Sequence, residues 1–324
     1  MLKYLIIQLC DCAPSFCHYH QGTGKALIPK EYLQQGITWS MKQNVSVQIV
    51  YPSFEIPQDY KDYIDRINNI AIVPFDCKDK SLLDDAEVIV IESLDHLSIC
   101  ILRDNATYVL KTSFALFLHR YQEIIPVLTK VTRLNIVFTD IEKTTEQQLV
   151  EYKAVLSDIA ESVKKEYLHE HPVQCNLLTD RFMLSEMNNC NAGSDTVTLA
   201  PDGKFYICPA FYFEQGDYGL GQGKFNIGNL SSGLCIKNTQ LYDLNHAPLC
   251  RICDAYQCKR CVWLNRKMTY EVNTPSHEQC VIAHIERNAS RTLLRQIQEK
   301  RTFLPDKEIK EIDYLDPFDI KPQL

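Results

Sequence analysis

Glycine is scarce in this chain, with 11 among 324 residues. That argues against a disordered chain and against a glycine-rich nucleotide loop. No stretch approaches the ~20 apolar residues that a membrane helix needs, so no membrane partner is expected. Positive charge is not in excess. The 34 Lys and Arg are outnumbered by 41 Asp and Glu, for a net charge of −7. A nucleic-acid partner would want a clustered basic face, so none is expected. The opening residues, MLKYLIIQL, carry one Lys and a short apolar run broken by Gln8. They lack a small-residue cleavage site and do not read as a signal peptide, so a cytoplasmic location is expected.

Cysteine is abundant instead. There are 14, and eight of them lie between Cys190 and Cys280. With 45% apolar residues the chain can build a core without disulfide staples. In a cytoplasmic protein such cysteines are more often metal-binding or catalytic than bridged.

The first part alternates short apolar strands with helices. Strands are expected at Tyr4 to Leu9, Val45 to Val50, Ile70 to Val73, Glu87 to Ile91, Ile99 to Leu102 and Leu134 to Phe138. Helices are expected at Pro29 to Met41, Gln58 to Ile67 and Thr112 to Ile125. A capping box of Thr144 and Gln147 opens a further helix, with Leu149, Tyr152, Val155, Leu156, Ile159 and Val163 as its apolar stripe. This βα alternation predicts an α/β fold with a largely parallel sheet. A full eight-unit barrel takes about 250 residues, so a partial or degenerate (βα) barrel-like domain is expected over residues 1–180. A cysteine-rich metal-binding domain is expected over 181–290. Helical periodicity resumes from Val281, and a C-terminal helix and tail close the chain over 291–324.

Four cysteines form a tight run, Cys250-x2-Cys253-x4-Cys258-x2-Cys261. Thiolates are soft ligands suited to zinc or to iron–sulfur clusters. Zinc knuckles are usually separated by a longer loop than Asp254 to Gln257. Sharing the four between two centres is easier and would recruit other cysteines. A hairpin is expected where Val197 to Ala200 and Phe205 to Ile207 flank the Pro201-Asp202-Gly203 turn. It delivers Cys208, followed by Pro209. Cys190 precedes this hairpin and Cys280 follows the run. A zinc-held structural module is the alternative reading of the same residues.

The order Cys190, twelve residues, Gly203-x4-Cys208, the central run and Cys280 resembles the SPASM domain. That domain is the auxiliary-cluster extension of radical SAM peptide-modifying enzymes. The segment PDGKFYICPAF and Ile227-Gly228-Asn229-Leu230 are similar to it as well. The central run departs from the family, with x4 and x2 where x5 and x3 are usual. The resemblance implies iron–sulfur clusters, of the 4Fe-4S type. One would take Cys250, Cys253, Cys258 and Cys280. The other would take Cys190, Cys208 and Cys261, with its fourth iron open to substrate or filled by Cys235.

The family also places Cys-x3-Cys-x2-Cys after the first barrel strand to bind S-adenosylmethionine. Here Cys10, Cys12 and Cys17 occupy that place with spacing x1 and x4. They are candidates for an atypical cofactor-binding loop, for a degenerate loop, or for metal ligation of another sort. His18 and His20 beside them could ligate a metal, but exposed loop histidines are more often bystanders. Cys77, Cys100 and Cys175 lie in or beside apolar segments and read as small core residues. Arg251, Lys259, Arg260, Arg266 and Lys267 surround the central run and could balance the negative charge of thiolate-bound clusters, though a solvated basic face is the plainer reading.

The layout looks like truncated relatives of radical SAM maturases, the CXXX repeat peptide maturase group in particular. This implies a peptide maturase acting on a ribosomally made, cysteine-containing precursor peptide. The rival expectation is a non-catalytic binding module that presents the peptide to a separate maturation enzyme.

Overall fold

The computed structural model describes residues 2–169, 171–187, 190–214, 225–258 and 260–311. Seven parallel strands run in sequence order: β1 (Tyr4–Gln8), β2 (Ser46–Val50), β3 (Asn69–Pro74), β4 (Val88–Ile91), β5 (Thr107–Thr112), β6 (Arg133–Phe138) and β7 (Gln174–Cys175). Most are rich in Ile, Val and Leu, as strands covered on both faces should be. Residues alternate between the two faces. Ile6, Val50, Ile72, Val90 and Val109 form one apolar cluster. Leu5, Ile7, Ile49, Val73, Ile91 and Leu110 join the larger core on the other side. The barrel stays open, with β7 at one edge of the sheet.

The helices between the strands include α1 (Lys30–Gln43), α2 (Gln58–Ile64), α3 (Lys80–Asp85), α4 (Phe114–Arg120) and a short α5 (Ile125–Leu128). Pro29 opens α1, and Asn44 closes it at φ 53°, a left-handed cap that asparagine tolerates. Ser113 caps α4 by accepting from the Leu116 amide. The long α6 (Glu146–Leu168) is capped by Thr145 and Gln148, one residue later than the sequence suggested. The expected strand at Ile99 to Leu102 is absent. Ile99 and Ile101 are 68% and 89% exposed, and the strand in that unit is β5. The isolated apolar pair misled because alternation over four residues fixes neither burial nor pairing.

The cysteine-rich region continues the same sheet. Strand β8 (Thr196–Leu199) pairs in parallel with β1, residue by residue from Tyr4↔Thr196 to Ile7↔Leu199. Strands β9 (Lys204–Tyr206), β10 (Asn226–Asn229) and β11 (Gly233–Leu234) then add antiparallel. The expected hairpin is therefore present, and its first strand is welded to the first strand of the barrel sheet. Helix α7 (Pro209–Phe213) lies between β9 and β10, and α8 (Val262–Thr269) and α9 (His277–Gln298) follow the sheet. Helix α9 lies against α6, so the C-terminal helix packs on the barrel rather than standing apart. No helix among the described residues is long and apolar enough to cross a membrane. The tail from Ile312 onward lies outside the described residues.

Candidate metal centre

The central cysteine run is gathered by tight turns and by α9. Ser276 caps α9 through the Gln279 amide and so fixes where Cys280 enters the helix. Cys280 stands one turn before His284, on the same helix face. The His284 ring nitrogen Nε2 is 3.5 Å from the Cys253 sulfur. Buried Cys250 and half-buried Cys258 lie near Cys253 as well. Burial first, and then the mutual repulsion of these thiolates, push Cys250 up to about 12 and Cys258 up to about 11. N–H groups point at the sulfurs: Ala255 donates to Cys253 at 3.4 Å, and Gln279 Nε2 to Cys258 at 3.9 Å.

A second group forms where the hairpin meets α8. Cys208 precedes α7, and Cys261 caps α8, its sulfur accepting from the Leu264 amide at 3.5 Å. Burial raises both thiols well above the ordinary cysteine value, and the Cys190 thiolate adds to each. Cys190 itself is exposed. The Cys17 thiolate acts on Cys208 and Cys261 too.

The first loop thus splits its three cysteines. Cys10 and Cys12 have sulfurs 3.0 Å apart and belong to the small apolar cluster of the barrel interior. Ligands to different irons of one cluster would be held apart by the cluster's width, whereas these sulfurs touch. Cys10 is fully buried, and burial holds its thiol strongly protonated. Cys17 packs against the main core, as Cys208 and Cys261 do. Cys235 is exposed beyond β11. Cys77 and Cys175 are buried core residues. His18 is bonded to the Phe138 carbonyl, and burial lowers its pKa, so it stays neutral.

The thiols fit a metal group better than they fit an empty pocket. Several buried thiolates facing one another would repel, and a metal both deprotonates them and balances their charge. A tetrahedral zinc with sulfurs at about 2.3 Å would bring them to about 3.8 Å from one another. Among the described residues, the trio of ligand atoms within 4.8 Å of one another is Cys253, Asp254 and His284, not a set of cysteines.

The surrounding charges were only partly legible. Arg260 is not on a solvated face. It is 1% exposed, and Nε and Nη1 have no hydrogen-bond partner. Its Nη2 donates to the Tyr242 carbonyl at 2.6 Å, and its charge lowers the pKa of Cys250. A buried guanidinium with idle donors beside thiolates is what an anionic cluster would satisfy. Its tight place between Cys258 and Cys261, at φ 38°, has no periodic signature in the sequence. Arg266 lies over the Phe225 ring and Lys267 pairs with Glu142, so both have structural employment. Asp254 forms a buried ion pair with Arg287 of α9. Lys259 lies outside the described residues.

At the C-terminal ends of β4 to β6 a cavity of about 330 Å³ opens, lined by His20, Gln21, Glu92, Lys111, Ser113 and Thr139 among others. This is the end of the strands where barrel enzymes place their sites. Lys111 is 4% exposed, and its Nζ donates to the Tyr19 carbonyl at 2.8 Å. Burial brings its pKa down to about 8, with the Cys17 and Glu92 charges opposing. A lysine inside a strand-like apolar run gave no sign of this role in the sequence.

No family model matches the sequence, and no curated protein matches it significantly. Solved structures match in fold. His-tagged anSMEcpe with bound AdoMet has a TM-score of 0.61 at 10% identity, over 94% of this chain and 98% of that one. Native anSMEcpe with bound AdoMet and the Cp18Cys peptide has a TM-score of 0.60 at 11% identity, over 93% and 100%. The chain therefore shares the fold of anSMEcpe, a partial barrel joined to a cysteine-rich antiparallel part. At this identity the likeness establishes the fold alone.

Proposed function

We propose that this chain is an iron–sulfur protein of the radical SAM/SPASM type that acts in maturing a ribosomally made, cysteine-containing peptide. One cluster is held by Cys250, Cys253, Cys258 and Cys280, and a second by Cys190, Cys208 and Cys261. The observation that supports this reading is the mutual influence of Cys250, Cys253 and Cys258 in one place and of Cys190, Cys208 and Cys261 in another, on a fold shared with anSMEcpe, one structure of which holds a peptide. Clusters of this kind supply one-electron chemistry and open ligand positions when bound. The protein's own part is to hold thiolates apart in a low-dielectric site, to direct N–H groups at the sulfurs, and to balance charge with Arg260.

The test is anaerobic purification followed by absorption spectroscopy with iron, sulfide and zinc counts. Iron with acid-labile sulfide supports the reading. Stoichiometric zinc without iron, even after reconstitution, overturns it in favour of a zinc-held module.

A second reading has its own support. The sulfurs of Cys10 and Cys12 lie 3.0 Å apart, closer than ligands to separate irons of one cluster, which argues against the usual seat for S-adenosylmethionine. On that reading the chain binds precursor peptide and hands it to a separate enzyme. Calorimetry with peptide and with S-adenosylmethionine separates the two. Peptide binding alone favours the presenting role, and binding of both favours catalysis by this chain.

A further inference from the structure

We infer that Cys17 is the fourth thiolate of the Cys190, Cys208 and Cys261 group, so that one cluster staples the loop after β1 to the cysteine-rich region. This inference rests on the reading that the region holds iron–sulfur clusters. It changes that reading in one respect: the second cluster has no iron left open for a substrate.

The geometry comes from how the loop docks. Tyr19, two residues after Cys17, stacks on Phe213 with ring centroids 5.6 Å apart and an interplanar angle of 12°. Phe213 ends α7, the helix that Cys208 opens. Tyr212 of the same helix donates to Asp11 at 2.7 Å. Gly22 leaves room for Phe213, whose ring would stand 3.2 Å from a β-carbon at that position. The loop is locked internally too, since Ser15 donates to the carbonyls of Cys17 and Tyr19. Lys111 holds the Tyr19 carbonyl from below. Both flanks of Cys17 are thereby pinned against the segment that carries Cys208.

Two further observations point to a ligand there. Tyr19 is 2% exposed, and its hydroxyl, buried near Ser15, makes no hydrogen bond of normal geometry. After burial itself, the thiolates of Cys17 and Cys208 are the charges that bear on it most strongly. A cluster sulfide or coordinated thiolate would give that hydroxyl an acceptor. The electrostatics agree from the other side, because Cys17 and Cys190 are both charges felt by Cys208 and by Cys261. Cys17 from the loop after β1 would complete a four-cysteine set with Cys190 ahead of the hairpin, Cys208 at its end and Cys261 at a helix cap.

The test uses the full chain, purified without oxygen, as wild type, Cys17→Ser and Cys12→Ser. Iron counts and electron paramagnetic resonance after mild oxidation are the readouts. A cluster held by three cysteines sheds its unprotected iron on oxidation, and one held by four resists. Cys17→Ser is expected to lose about one iron per chain and to gain a three-iron signal at least about fivefold over wild type. Cys12→Ser is expected to match wild type. A wild type that sheds one iron as readily as Cys17→Ser overturns the inference and leaves the cluster reading intact. A wild type with no iron overturns both. Should Cys17→Ser fail to fold, alkylation of the wild type decides. Cys17 and Cys190 are expected to be shielded from iodoacetamide at least about tenfold relative to Cys235, and released after iron is chelated. Labelling of Cys17 as fast as Cys235 in the iron-loaded protein would sink the idea.

Discussion

The guanidinium of Arg181 meets the carboxylate of Glu286 at 2.9 Å, where the barrel end is joined to α9. Tyr152 of α6 donates to the other carboxylate oxygen at 2.8 Å. Arg181 is 1% exposed, so neither partner can turn to water. Burial raises the Glu286 pKa, and Arg181 and Tyr152 work against that rise. Removing one member of a buried pair leaves an uncompensated charge, at a cost of about 3–5 kcal/mol. Glu286→Ala is expected to lose that much in anaerobic chemical denaturation at matched iron content. The double variant Arg181→Met, Glu286→Leu should recover most of it, because apolar replacement of a buried pair is often neutral. A loss below about 1 kcal/mol in the single variant would mean that the pair is wet.

The start of α6 offers a test of register. Thr145 and Gln148 close a reciprocal box, each side chain bonded to the other's backbone. The Thr144 hydroxyl is buried without a partner. Thr145→Ala should cost about 1 kcal/mol. Thr144→Val should change stability by less than about 0.5 kcal/mol, because no hydrogen bond is given up. The reverse ranking in thermal melts would place the cap one residue earlier.

That one-residue slip shows what the sequence could and could not carry. Spacing identified the capping motif, but Thr144 and Thr145 are both good caps, and only the helix path chooses between them. Apolar runs located most parallel strands, since Ile, Val and Leu in β1 to β4 are covered on both faces. The cysteine spacing of the C-terminal part is a local pattern and can be read directly from the sequence. Long-range pairing was not. Nothing in Thr196–Leu199 announces that β8 will pair with β1. Contacts such as Tyr19 on Phe213, or Arg260 beside Cys250, join residues far apart in the chain or hidden in a turn, where no periodicity reports them.

Gly203 carries a conformational demand that bears on the proposed metal site. Its φ is +76°, and a β-carbon there would stand 2.7 Å from the Tyr32 ring. The left-handed backbone costs an alanine about 1–2 kcal/mol, and the contact with Tyr32 adds to that. Gly203→Ala should therefore lose at least about 2 kcal/mol and bind less iron, because the turn sets the path to Cys208 just beyond β9. Adding Tyr32→Ala relieves the clash but not the backbone. If the double variant regained the full iron content and stability of the Tyr32→Ala protein, the backbone argument would fail.

Lys111 gives a pH signature. Its pKa in the fold is about 8, against about 10.4 for a free lysine. Between those values the unfolded chain binds more protons than the folded one, so stability rises with pH. The cost of burying the charge is full below about 8 and gone above the unfolded value. The gap between the two values corresponds to about 3 kcal/mol across the window. Cysteine ionisation adds its own slope in the same range, so the comparison must be with Lys111→Met, which keeps the cysteines. Wild type should gain on the variant by about 3 kcal/mol between about pH 7 and about pH 10.5. The variant should also exchange the amides of the loop after β1 faster at neutral pH, having lost the bond to the Tyr19 carbonyl. Parallel stability curves for the two proteins would mean that Lys111 reaches water at the barrel mouth and holds its charge at no cost.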